Sequence, residues 1–114
     1  MVSLNRDNLA AVQMKRAENL KMLYESGLQS FLEESFPGCT VILFGSYSQG
    51  EDTLKSDIDL AVIGSKGKGT SLEKFEKTLE RKITLNFYEN FGSIGKNLKA
   101  NILNGITLSG VVEL

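Results

Sequence analysis

Histidine and tryptophan are absent from this 114-residue chain, cysteine and proline occur once each, and neither charge sign dominates: 13 Lys and Arg stand against 14 Asp and Glu. Without histidine there is no Ser-His-Asp triad, no Cys-His pair and no imidazole metal ligand. A single cysteine closes no internal disulfide and builds no cysteine-based zinc site, so Cys39 reads as a reduced, small core residue. No apolar run approaches the roughly 18 residues that a membrane span needs. The opening stretch, Met1 to Asp7, turns polar too soon for a signal peptide, and a cytoplasmic location with no membrane partner is the expectation. A net charge of −1 offers nucleic acid no general attraction, which leaves only a local basic patch for such a role. Carboxylates, hydroxyls, amides and backbone remain to carry chemistry.

What is present suits one domain, spanning residues 1–114, with hydrophobic residues at 41% to fill a core. From about residue 6 to 35, Leu9, Val12, Ala17, Leu20, Tyr24, Leu28, Phe31 and Leu32 recur at helical steps. Asn5 is placed to cap that run and Asp7 to favour its first turn, while Gly27 is a point where it divides in two; Pro37-Gly38 ends it. Thr40 to Phe44 is a β-branched apolar run that reads as a buried strand. Residues 57 to 63 alternate at first and read as a second strand. Thr70 with Glu73 matches a capping box, and Leu72, Phe75 and Leu79 give the helix after it one apolar face. Ile83 to Tyr88 is a third strand, with Ile83, Leu85 and Phe87 on one side and Thr84, Asn86 and Tyr88 on the other. A helix from about Ser93 to Asn104 and a short closing strand from Ile106 to Leu114 complete a mixed α/β (α+β) pattern, a small sheet of three or four strands flanked by helices.

Asp57 and Asp59 are the residues on which chemistry turns. At i and i+2 in a strand they share a face, while Ile58, Leu60 and Val62 point to the core. Two carboxylates on one rigid face repel unless a cation neutralises them, and magnesium, bound by one or two carboxylates together with phosphate oxygens, is the natural partner. Upstream, Gly45-Ser46 directly follows a buried strand and Gly50 closes the short segment after it. A glycine there lets backbone approach a ligand, and free N–H groups with the Ser46 hydroxyl suit nucleotide phosphates. The glycine-rich stretch Gly64 to Thr70 superficially resembles a P-loop but lacks the Gly-Lys-Ser/Thr ending, so it reads as a mildly basic loop in which Lys66 or Lys68 can reach phosphate. Lys55 and Ser56 are helpers beside the aspartates. Tyr47 either stacks on a base or packs on the sheet edge.

The order of strand, Gly45-Ser46, ten residues, Asp57-Ile58-Asp59, strand resembles the minimal nucleotidyltransferases (MNT proteins) of the polymerase-beta-like superfamily. Phe44-Gly45-Ser46 with Gly50, followed by Ser56-Asp57-Ile58-Asp59-Leu60, is the specific part of the likeness, and size and element order agree from about residue 28 onward. The resemblance implies the polymerase-beta-like fold, magnesium (two ions) held by Asp57 and Asp59, and Gly45, Ser46 and Ser56 on the phosphates of a nucleoside triphosphate. An acceptor hydroxyl then attacks the α-phosphorus and pyrophosphate leaves. Active members carry a third carboxylate on the next strand; Asn86 stands at the matching place here and cannot take a proton from the attacking hydroxyl, whereas Glu89 substitutes only if the chain bends.

Larger members bind their acceptor with further domains, and these 114 residues hold none. Stand-alone MNT proteins pair with a HEPN-domain protein in toxin–antitoxin modules, as antitoxins that transfer AMP from ATP to a tyrosine of the partner. That is the expected function. The alternative is a catalytically impaired nucleotide-binding or interaction module that neutralises its partner by binding, through the long amino-terminal helix. Transfer to a small molecule or an RNA end fits less well, given the balanced charge. A homo-oligomer is compatible with either reading.

Overall fold

The computed structural model describes residues 2–67 and 69–112, with side chains from residue 8 onward. Two helices, α1 (Val2–Glu25) and α2 (Leu28–Ser35), precede strand β1 (Thr40–Phe44), the one-turn helix α3 (Ser46–Gln49) and strand β2 (Ile58–Ile63). Helix α4 (Glu73–Leu79), strand β3 (Ile83–Tyr88), a 3-10 turn (Phe91–Ser93), helix α5 (Lys96–Leu103) and strand β4 (Ile106–Ser109) follow. The strands form one mixed sheet in the order β3-β2-β1-β4. β1 runs antiparallel to both β2 and β4, and β2 parallel to β3.

Both faces of the sheet are covered, which is why β1 and β2 read as apolar runs. Val41 and Leu43 of β1 with Ile58, Leu60 and Val62 of β2 meet Leu23, Leu28, Leu32, Phe75 and Leu79 from α1, α2 and α4. Ile42, Phe44, Ala61 and Ile63 on the opposite face meet Phe91, Ile94 and Ile102. Burying a leucine or isoleucine side chain in this way stabilises by about 1.5–3 kcal/mol. Cys39 is a free thiol, half-buried and packed against the first cluster.

The break between α1 and α2 falls at Gly27, whose φ of 86° is a left-handed conformation that favours glycine. Several local expectations are corrected. Helix α1 begins at Val2, ahead of Asn5, so Asn5 does not cap it, and the side chains of Asn5 and Asp7 lie outside the description. Leu9 and Tyr24 are exposed whereas Asn19 and Leu23 are buried, so the inward face of α1 is rotated from the one its apolar residues suggest. Thr70 forms no capping box: α4 starts after Leu72 with no side-chain cap, and Glu73 pairs with Lys77 at 3.5 Å instead. The last helix starts at Lys96 rather than near Ser93. The closing strand ends at Ser109, and residues 113–114 lie outside the described ones.

Candidate functional site

The end of β1 and the start of β2 lie side by side because the two strands are antiparallel, with Phe44 in register with Asp59. The bend that follows β1 therefore faces the acids that open β2. Gly45 sits at φ 83°, ψ −169°, a region essentially restricted to glycine, and α3 starts directly after it. A Cβ built on Gly45 would stand 2.6 Å from Asp59 Oδ2, so a side chain there would collide with the carboxylate. Ser48 Oγ donates to the Gly45 carbonyl at 2.7 Å and fixes the turn from the inside.

Asp59 is half-buried; Asp57 is exposed and lies one residue before the strand proper. Burial pushes the Asp59 carboxyl above its ordinary pKa, and the negative charge of Asp57 pushes it further. Both effects disfavour the charged form of Asp59, and a cation bound at the carboxylate would oppose them. The oxygens of both acids are hard donors that fit a divalent cation. Among the described residues no group of three or more His, Cys, Asp or Glu is placed to hold a metal, so phosphate oxygens and water would have to complete its shell.

The neighbouring strand presents neutral groups. Thr84 is directly in register with Asp59, while Asn86 stands beside Ala61, one same-face position farther along. Asn86 Nδ2 donates to the Leu60 carbonyl at 3.3 Å. Thr84 is a candidate that the motif did not point to; only the β2–β3 register finds it. Glu89 does not reach the site. It follows Tyr88, which pairs with Ile63 at the far end of β2, and its carboxylate lies 3.9 Å from Lys66. Lys66 is thus removed from the acids as well, and Lys68 lies outside the described residues. Ser56 Oγ accepts from the Thr53 amide at 2.9 Å and shares a hydrogen bond with Thr53 Oγ1, so it shapes the loop before Asp57. Lys55 is exposed on the same loop, and Tyr47 is packed in the core with its hydroxyl donating to the Asn19 carbonyl.

A groove of about 490 Å³ opens at the bend, lined by Gly45, Ser46, Gln49, Glu51, Asn101 and Asn104. Gln49 Nε2 donates to the Asn104 carbonyl and ties α3 to the end of α5. A larger cavity of about 590 Å³ lies at the opposite end of the sheet around Cys39, Gly64 and Asn90, away from the bend and the acids.

Beneath the loop that connects Gly50 to Asp57 is a buried charge that sequence reading passed over. Asp52 accepts from Arg81 Nη2 at 2.7 Å and Asn19 Nδ2 at 2.8 Å, with Lys15 Nζ 3.6 Å away, and its side chain is fully buried. Burial by itself raises the Asp52 pKa, but the bonds from Asn19 and Arg81 and the charge of Lys15 outweigh it and hold the carboxyl below its ordinary value. A depressed acid pKa contributes stability that is present above the ordinary carboxylate range and lost as pH falls through the depressed value. The urea midpoint of the wild type should therefore drop below about pH 4, and that of Asp52→Asn should drop less steeply. Asp52→Ala leaves Arg81 buried without its partner and should cost about 3 kcal/mol in urea unfolding at neutral pH.

The fold is that of a nucleotidyltransferase domain. The chain belongs to the polymerase beta nucleotidyltransferase family, whose model ("Polymerase beta, Nucleotidyltransferase") matches residues 27–109. Helix α1 lies outside the matched stretch. Two solved structures are similar. One is a toxin–antitoxin with AMP-PNP, 24% identical, with 84% of this chain and 73% of that chain covered and a TM-score of 0.48. The other is a mutant of the toxin–antitoxin MntA-HpeT, 21% identical with the same coverage and a TM-score of 0.46. A search of curated proteins finds no significant match.

Proposed function

We propose that this chain transfers a nucleoside monophosphate, AMP from ATP, to an acceptor hydroxyl in a magnesium-dependent reaction, and that the acceptor is a tyrosine of a HEPN-domain toxin which it thereby neutralises as an antitoxin. The observation that carries the transferase reading is the apposition of Asp59 and Gly45, so close that a methyl group at Gly45 would overlap the carboxylate. Asp57 and Asp59 hold the cation, which neutralises charge on the phosphates when bound. The lack of a side chain at Gly45 gives the Asp59 carboxylate its place against the bend. The Gly45 backbone and the Ser46 hydroxyl take the polyphosphate, and the groove lined by Gln49, Glu51, Asn101 and Asn104 takes the rest of the nucleotide. The acceptor oxygen forms a bond to the α-phosphorus as the bond to the pyrophosphate oxygen breaks. Neither Thr84 nor Asn86 can accept the hydroxyl proton, so it leaves to solvent. The chain's share is orientation and charge placement. The antitoxin part rests on the likeness of the Gly45-Ser46 to Asp57-Ile58-Asp59 motif to MNT proteins.

With Mg²⁺, α-labelled ATP and a HEPN-domain protein, label is expected on a partner tyrosine and is lost with EDTA. No label on the partner at saturating ATP would overturn the enzymatic reading. The neutral Thr84 beside Asp59, with the neutral Asn86 one same-face position farther along, favours a second reading, a non-catalytic module that neutralises by binding. Titration calorimetry separates the two: tight partner binding that Asp57→Ala leaves unchanged, without turnover, selects the module.

A further inference from the structure

We infer that Asn19 and Asp52 are positioning residues: together with Arg81 they form a buried brace, anchored in α1, that sets the spacing between the Gly45–Ser46 bend and Asp57. This inference rests on the reading of those residues as the metal and nucleotide site. The β1–β2 ladder pairs the two arms of the site only as far as Phe44 and Asp59, and beyond it neither arm belongs to the sheet. One is α3, a single turn; the other is the loop from Glu51 to Asp57, which belongs to no helix or strand. A polar residue of α1 joins them. Asn19 Nδ2 donates both to the Tyr47 carbonyl at 3.1 Å and to Asp52 Oδ1 at 2.8 Å, and the Asn19 carbonyl accepts from the Tyr47 hydroxyl at 3.0 Å. Tyr47 adjoins Ser46, and Asp52 lies on the run to Asp57, so one side chain spans both arms.

Arg81, just before β3, grips the second arm twice. Its Nη2 meets Asp52 Oδ2 at 2.7 Å and its Nη1 donates to the Leu54 carbonyl at 2.9 Å. Lys15 adds a bond from α1 to the Asp52 carbonyl oxygen at 2.7 Å. The helix lies directly on the loop: a Cβ on Gly50 would stand 2.4 Å from the Val12 carbonyl. Asparagine and aspartate are seldom buried, and for mere adhesion apolar side chains of similar volume would serve as well or better. Directional bonds from fixed donors instead hold each arm at one distance from the other. Helix α1 is thus part of the site although it reaches no reacting atom, and displacing it would loosen Asp57 against Gly45.

Mn²⁺ binding by the full-length chain, read from the free-ion electron paramagnetic resonance signal, tests the brace independently of turnover. Asn19→Ala and Asp52→Asn should each weaken Mn²⁺ about tenfold in protein shown to be folded by circular dichroism, the size seen when outer partners of metal ligands are removed. Tyr47→Phe, which deletes a single bond to α1, is the gentlest variant and should weaken it about threefold. Leu32→Ala, in the core of α2, should lower the melting temperature and leave Mn²⁺ affinity unchanged. The brace is overturned by wild-type affinity, within about twofold, in whichever of Asn19→Ala, Asp52→Asn and Tyr47→Phe fold, or by equal weakening in Leu32→Ala. If instead the wild type binds no Mn²⁺, or Asp57→Asn and Asp59→Asn bind it as well as the wild type, the site reading itself falls and the brace falls with it.

Discussion

Asp59→Asn is expected to abolish nucleotidyl transfer, by about a thousandfold or more in kcat, and at the same time to raise the melting temperature at neutral pH. The first effect follows from removing one of two charged metal ligands, a loss of several kcal/mol of transition-state stabilisation at about 1.4 kcal/mol per tenfold in rate. The second follows from the sign of the pKa shift. Burial and the charge of Asp57 raise the Asp59 carboxyl in the folded state. A raised acid pKa contributes stability that is full below the ordinary carboxylate range and lost as pH rises through the raised value. At neutral pH the wild type therefore carries the cost of a half-buried charge, with the charge of Asp57 adding to it, and asparagine removes both. The melting difference between the two proteins should shrink below about pH 4, where the Asp59 carboxyl is protonated. Added Mg²⁺ should reverse the order, since a ligand bound only by the folded state stabilises the wild type and not the variant. A wild type that melts above Asp59→Asn without metal at pH 7 would contradict the electrostatic account.

Gly45→Ala should be nearly as damaging to transfer, about a hundredfold, through displacement of Asp59 rather than loss of charge. The backbone at φ 83°, ψ −169° is strained for any side chain, and the new methyl would stand 2.6 Å from Asp59 Oδ2. The carboxylate is the free end of a side chain and can rotate away, so the cost in stability is about 1–3 kcal/mol while the metal ligand is lost. Gly38→Ala is the control. Its φ is 81°, also left-handed, but a Cβ there meets nothing within 4 Å, so it should lose stability of similar origin and no activity. Coupling measures the collision: in an Asp59→Ala background, Gly45→Ala should cost less stability than in the wild type. Equal costs in both backgrounds would place the damage in the backbone alone.

The parts of the site that were legible in the sequence are those that neighbouring residues specify. Thr40 to Phe44 and Ile83 to Tyr88 emerge as strands with the expected bounds because alternation and β-branching are local properties. Asp59 falls in β2 for the same reason, whereas Asp57, expected to open that strand, lies one residue before it, so the pleat that would set both acids on one face covers Asp59 only. Helix α1 was legible as a helix but not in its orientation. Its apolar residues Leu9 and Tyr24 stay in water, whereas Asn19 is buried because its hydrogen-bond partners lie 28 and 33 residues away in the chain. Nothing in the segment itself signals that. The same holds for Asp52, which reads as one more polar loop residue until Arg81 is folded against it.

By itself, then, the order of residues determined a strand, a glycine–serine bend and a second strand that opens beside two acids, since pleat and turn are dictated over a few successive φ and ψ angles. The fold alone decided which residue stands beside Asp59, Thr84 rather than Asn86 or Glu89, because strand register depends on how the α4 crossover returns the chain to the sheet. It also decided that a helix outside the family-matched stretch underlies both arms of the site, because burying polar groups requires partners that only distant segments supply.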